Sequence, residues 1–204
     1  KETSFAEGYA QPTWPNGFLQ GRHGSFFEWH NQWYFAYCDI SQTGNRWFRD
    51  TFISYIHYKE NGEMATIRVD GVGVGQYDAN NGAIEAEDYF KAQDIKKAEN
   101  PKGGFSIVPV KENAYVTFSH IKGLSTKSKL ELEIHATTNS EIIIREDSPK
   151  GEILFILKIP KTKSYNFQKI SFETKNLKED QTLCFVFKGI KEDSLKLNRF
   201  KFKK

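Results

Sequence analysis

Apolar and polar residues alternate in short runs along almost the whole chain, and the three-to-four spacing of an amphipathic helix is nearly absent. In the first third, Phe27, Trp29, Trp33, Phe35 and Tyr37 all fall on odd positions, with Asn31-Gln32 interrupting them as a tight turn would. This pattern predicts strands at 25–29, 32–38 and 51–58 and a short fourth near 65–69. Turn signals at 41–45 and at Glu60-Asn61-Gly62 separate them. Four antiparallel strands in succession make a meander, and one with an aromatic-rich edge reads as a propeller blade. A single blade cannot bury both faces, so N-terminal blades outside this sequence are its expected partners. Later in the chain the pattern opens at 84–90. It then predicts strands at 105–110, 114–120, 129–135, 141–145, 153–158, 167–172, 182–188 and 195–202. Alternation is strongest in Leu130/Leu132/Ile134 and Leu183/Phe185/Phe187. Short strands at regular spacing with no helices between them predict a two-sheet sandwich.

Composition divides the chain in two. All four Trp (Trp14, Trp29, Trp33, Trp47) lie in the first fifty residues. Residues 1–82 hold six Lys and Arg against nine Asp and Glu, leaving 23 basic and 17 acidic residues for the rest. The asymmetry predicts two units, 1–82 and 83–204, joined at Tyr77-Asp-Ala-Asn-Asn-Gly82. A net charge of +3, with lysines interleaved among glutamates as in Lys129-Leu-Glu-Leu-Glu133, argues against nucleic acid as a partner. No apolar run approaches a membrane span, and no signal peptide is recognisable. The start at Lys1 without a Met is that of a processed, trimmed or partial chain. Cys38 and Cys184, one in each half, read as buried free thiols, with an inter-unit disulfide as the alternative.

The run Gly24-Ser-Phe-Phe-Glu-Trp29, then Gln32-Trp-Tyr-Phe-Ala-Tyr-Cys-Asp39, Arg49 and Ile53-Ser-Tyr-Ile-His-Tyr-Lys-Glu-Asn-Gly-Glu63, resembles the C-terminal part of glycoside hydrolase family 43. That family includes β-xylosidases and α-L-arabinofuranosidases on five-bladed propellers. The resemblance implies that the glycine-flanked His23 lies near the propeller axis, where it helps hold a central hydrated cation. Neutral imidazole suits that task. A histidine bonded to backbone at a blade edge is the competing reading. Arg49 would reach the substrate pocket, with Arg46 as its close competitor and a solvated loop arginine as the simpler account of both. Glycoside hydrolysis needs paired carboxylates. Glu28, Asp39 and Asp50 match none of the family's acid or base positions, so no catalytic residue is assigned. The parent protein is expected to hydrolyse O-glycosyl bonds, while this segment's own status as an enzyme stays open.

Residues 83–204 resemble a family 6 carbohydrate-binding module, a β-jelly roll. The carriers are Ile84-Glu-Ala-Glu-Asp-Tyr89, Gly103-Gly-Phe-Ser-Ile-Val108, Ala114-Tyr-Val-Thr-Phe118, Tyr165-Asn-Phe-Gln-Lys-Ile170 and Leu197-Asn-Arg-Phe-Lys-Phe202. The resemblance implies a structural calcium held by Glu85 and Glu87, with Asn198 standing where an Asp is usual; an amide oxygen ligates without contributing charge. Two strand glutamates facing water are the competing reading. It also implies a sugar cleft in which Phe167 replaces a Trp, Pro109 a Tyr and Lys196 an Asn. The expected fold is therefore all-β, a partial propeller of one blade or slightly more followed by a jelly-roll sandwich. The expected function is that of the C-terminal part of a hemicellulose-degrading hydrolase, acting on a plant-type polysaccharide in a secreted, periplasmic or cell-surface setting. A non-catalytic carbohydrate-binding or surface-interaction protein is the alternative.

Overall fold

The structure, a computed structural model, describes residues 24–39, 47, 50–67, 73–101, 103–163 and 166–204. They fall into two compact units, Lys1–Val74 and Gly75–Lys204. Among the described residues there is no α-helix, and no helix long and apolar enough to cross a membrane.

In the first unit, β1 (Gly24–Trp29), β2 (Gln32–Asp39) and β3 (Asp50–Ile56) form an antiparallel sheet in chain order. The turn between β1 and β2 lies at His30 and Asn31, both with positive φ, one residue earlier than the expected Asn31-Gln32. Gln32 pairs with Trp29 and is already strand. Two left-handed residues suit the twist of a two-residue hairpin, and Asn tolerates that conformation. Phe35, Tyr37 and Ile56 form the core with Met64 and Ile67. A Cβ at Gly24 would run into the Phe35 ring, so close cross-strand packing fixes that glycine. The expected fourth strand is not formed over 65–67, and residues 68 and 69 lie outside the described residues. The ladder ends where Tyr58 bridges Met64 and the Ala65 N–H donates to the His57 carbonyl at 2.8 Å. Ile67 turns into the core instead.

The second unit holds β4 (Ile84–Glu85), β5 (Lys91–Gln93), β6 (Ile95–Glu99), β7 (Phe105–Pro109), β8 (Tyr115–Lys122), β9 (Lys129–Ala136) and β10 (Ser140–Glu146). It continues with β11 (Ile153–Ile159), β12 (Gln168–Glu173), β13 (Asp180–Lys188) and β14 (Leu195–Lys203). One sheet runs β11-β10-β13-β8-β5 and the other β12-β9-β14-β7-β6, with β4 paired to β14. The eight later strands match the alternation closely. Their inward residues, among them Leu130, Leu132, Ile134, Phe185, Phe187 and Phe200, form one core between the sheets.

Three expectations change here. The opening strand is cut to Ile84–Glu85, because Ala86–Asp88 turn into a 3-10 helix that buries Ala86 and Glu87. Strands β5 and β6 were not expected. A single residue, Asp94 at positive φ, carries the chain from one sheet to the other, held by Lys111 Nζ at 2.9 Å. The units divide after Val74, not at 82, because Tyr77 and Ala79 belong to the sandwich core. The Tyr77 ring meets Phe118 edge-on at 5.4 Å. Cys184 is a fully buried free thiol, whereas Cys38 is only partly buried.

Candidate functional site

His23 and Arg49, together with Arg46, lie outside the described residues. The other expected site residues belong to the sandwich, and the structure separates them into two places.

Glu85 ends β4 and Glu87 lies in the 3-10 turn, so their carboxyl groups meet different partners. Glu85 faces Arg199, with Oε1 3.7 Å from Nη1, and burial raises its pKa despite that cation. The buried Glu87 accepts the Phe105 N–H at 3.1 Å, and burial pushes its pKa up to about 8. Asn198 is tied on both sides: its oxygen accepts from Asn100 Nδ2 at 2.7 Å and its amide donates to Glu133 at 2.9 Å. Arg199 Nε donates to the other Glu133 oxygen at 2.9 Å. Calcium wants six to eight converging oxygens. Among the described residues no three His, Cys, Asp or Glu side chains are grouped to hold a metal. Glu85, Glu87 and Asn198 come from β4, the 3-10 turn and β14, and the Arg199 guanidinium lies beside both Glu85 and Glu133.

Pro109, Phe167 and Lys196 do gather at one end of the six-membered sheet, where β7 ends and β12 and β14 begin. Lys196 pairs with His135, and Phe167 precedes the Gln168–Ile134 pair. Thr162 braces this end, its hydroxyl donating to the Ala136 carbonyl at 3.0 Å and lying 3.1 Å from His135 Nδ1. Pro109 is buried and Phe167 and Lys196 are half-buried, so among the described residues these three present no open aromatic clamp.

The outer face of the other sheet carries an apolar row of its own, most of it buried. Cross-strand register lines up Gln93, Tyr115, Val186, Ile143 and Ile156 across five strands. Tyr115, Ile143, Cys184 and Val186 form a small apolar cluster of their own, while Ile156 is 50% exposed. Burial raises the Cys184 thiol to about 11, which keeps it a neutral member of that cluster. Beside this row, Glu141 stands opposite both Lys188 and Lys158. Here lies a depression of about 650 Å³, lined among others by Asn139, Ser140, Glu141, Lys158, Pro160 and Lys188. Exposed apolar surface at Ile156 near hydrogen-bonding side chains suits a sugar ring, which presents C–H patches on its faces and hydroxyls at its edge. Sequence reasoning missed this face. Its signal was the loss of alternation in Ile142-Ile143-Ile144 and Cys184-Phe185-Val186-Phe187, where both faces of a strand are apolar.

Residues 85–204 match the family model described as carbohydrate binding module (family 6). Among solved structures, a family 43 arabinoxylan arabinofuranohydrolase from Bacillus subtilis aligns with 92% of this chain at 17% identity and a TM-score of 0.59. The chain spans 42% of that enzyme. A family 6 module from Clostridium stercorarium, solved with cellobiose, aligns with 63% of this chain and 96% of its own at 21% identity and a TM-score of 0.56. One from Clostridium cellulolyticum, solved with xylose, aligns with 62% of this chain and 99% of its own at 22% identity and a TM-score of 0.56. No curated protein matches the sequence.

Proposed function

The chain belongs to carbohydrate-binding module family 6 through residues 85–204, and on that premise we propose that it holds a polysaccharide on the outer face of the β11-β10-β13-β8-β5 sheet. The observation that carries this reading is the depression beside the Tyr115–Val186–Ile143–Ile156 row, where apolar and hydrogen-bonding groups lie together. The usual family cleft is the weaker candidate, because Pro109 is buried and Lys196 offers donors only. The test is calorimetric titration of the full chain with xylo-oligosaccharides. Ile156→Asp, at a half-exposed position, is expected to remove binding while Phe167→Ala keeps it. The opposite pattern would move the site to the sheet end and overturn this placement.

We further propose that the chain is the C-terminal part of a hydrolase of the xylosidase or arabinofuranosidase type acting on hemicellulose. The likeness to the arabinofuranohydrolase supports this, since it runs through both units. In this reading the first unit completes a propeller whose other blades carry the acid and base, and the module keeps the enzyme on its substrate. Such a polymer is met outside the cell, so the protein is secreted or displayed at the cell surface. Turnover of aryl xylosides or arabinosides by this chain alone, abolished by Glu28→Gln, Asp39→Asn or Asp50→Asn, would overturn the division of labour.

A further inference from the structure

We infer that the polysaccharide held on this face carries carboxylates, as a uronate-bearing chain does; this rests on the binding reading above and names its ligand class. The charges on the face set the argument. Three register rows cross the sheet: Lys91–Thr117–Cys184–Arg145–Ile153, Gln93–Tyr115–Val186–Ile143–Ile156, and Lys188–Glu141–Lys158. They contain four cations and one carboxylate, Glu141. Among the described residues, Lys188 lies 3.7 Å from Glu112, while Lys91, Arg145 and Lys158 form no ion pair with a carboxylate.

On the opposite sheet the outward carboxylates of β9 and β12 are all paired. There Glu131 pairs with Lys203 at 2.5 Å and Lys169 at 3.9 Å, Glu133 with Arg199 at 2.9 Å, and Glu173 with Lys129 at 3.7 Å. Lys196 and Lys201 are without an ion pair among the described residues on that face too, so what sets the depression apart is that Lys158 and Lys188 flank a buried hydroxyl there.

Two buried polar groups add to this. The Ser140 hydroxyl, on a residue 7% exposed that lines the depression, has no hydrogen-bond partner. Arg145 spends Nη1 on the Gly151 carbonyl at 2.7 Å, yet its buried Nε has no partner. Buried donors left without acceptors are costly, and an incoming acceptor relieves them. A uronate supplies what these groups lack: its carboxylate accepts from Lys158, Lys188 and Ser140, while a neighbouring ring hydroxyl donates to Glu141.

The test uses the full chain and polygalacturonate oligomers, as the free acid and as the methyl ester, which removes the charge and keeps the ring. The free acid is expected to bind about tenfold tighter than the ester, with the difference lost as added salt screens it. Lys158→Gln and Lys188→Gln are each expected to weaken the acid about threefold with unchanged melting. Equal affinity for acid and ester, or xylo-oligosaccharides bound while the acid is not, overturns the charge preference and leaves polysaccharide binding standing. No binding of acid, ester or xylo-oligosaccharide overturns both. The ester and salt comparisons need no variant, so misfolding of a substituted chain cannot blur the result.

Discussion

Removing residues 75–82 from the sandwich should cost it about 3–5 kcal/mol, the usual penalty for deleting a buried aromatic side chain. Tyr77 is 5% exposed and closes one end of the core. Its ring stands edge-on to Phe118, which in turn meets Phe200 at 4.7 Å and Phe185 at 5.5 Å. Its hydroxyl donates to the Asp88 carbonyl at 2.5 Å. The backbone is also tied in: Lys122 N–H donates to the Tyr77 carbonyl at 3.0 Å, and Ala79 N–H donates to the Lys122 carbonyl at 2.9 Å. Starting the chain at Ala83 strips the Phe118 edge of its cover and frees the Lys122 pair to water.

The assay compares urea and thermal unfolding of segments 75–204 and 83–204. For a unit of this size the loss corresponds to a midpoint drop of roughly 10–20 °C. Tyr77→Phe in the longer segment separates the parts, because it keeps the ring and deletes a hydroxyl bond contributing about 1 kcal/mol. Tyr77→Ala should reproduce most of the truncation. Matching midpoints for the two segments would refute the placement of 75–82 in the sandwich.

Glu87 gives the sandwich a pH dependence of unusual sign. Its folded pKa, about 8, lies above the ordinary carboxylate value of 4.5, so the folded state keeps a proton that the unfolded chain releases. Stability from this group is therefore complete below about pH 4.5 and declines as pH rises toward 8, by roughly 1.4 kcal/mol per unit at most. Lys97, brought down to about 7 by burial, alters stability only above that pH. Glu85, also raised, acts in the same direction as Glu87. The difference between wild type and Glu87→Gln should isolate roughly 2–3 kcal/mol of decline from pH 5 to 7 in urea melts, and parallel profiles would refute it. Chelation with EDTA should leave the melting midpoint unchanged, whereas Arg199→Met should lower stability by no more than about 1 kcal/mol, since the guanidinium is partly exposed. A chelator-induced drop of several degrees would restore calcium to Glu85, Glu87 and Asn198.

Much of the sandwich was legible because its long strands carry large apolar residues on one side only. Strand β9 is the clearest case, with Leu130, Leu132, Ile134 and Ala136 buried and the residues between them facing out. Strands β5 and β6 escaped notice because their buried positions are small: Ala92 and Ala98 sit among lysines and glutamates, so hydrophobicity hardly alternates. The joint misled for a related reason. Asp78, Asn80, Asn81 and Gly82 have turn composition, yet Tyr77 and Ala79 use the intervening positions to reach the core. The expected cleft residues were placed together at one sheet end, but only their packing shows Pro109 to be shut in. The opposite face was illegible in principle from local pattern. Tyr115, Val186, Ile143 and Ile156 come from β8, β13, β10 and β11, and only the order of strands in the sheet makes them neighbours.

The two outer faces are built from the same pleat but solve solvation differently. On the β9 and β14 side, each outward carboxylate has a cation at hand, so the face is stable in water as it stands. On the β10 and β13 side, the outward positions hold Ile143, Cys184 and Val186, which remove water from the very region where Arg145 and Ser140 keep unmatched donors. An apolar surround strengthens any electrostatic contact made there and raises the cost of leaving a donor empty. For folding alone, that combination is a liability, since an alternating polar face would have served the same core. Its physical sense lies in an occupant that covers the exposed end of the row at Ile156 and supplies acceptors at the edge. A chain of sugar rings bearing carboxylates meets both demands at once, whereas a neutral glucan meets only the first.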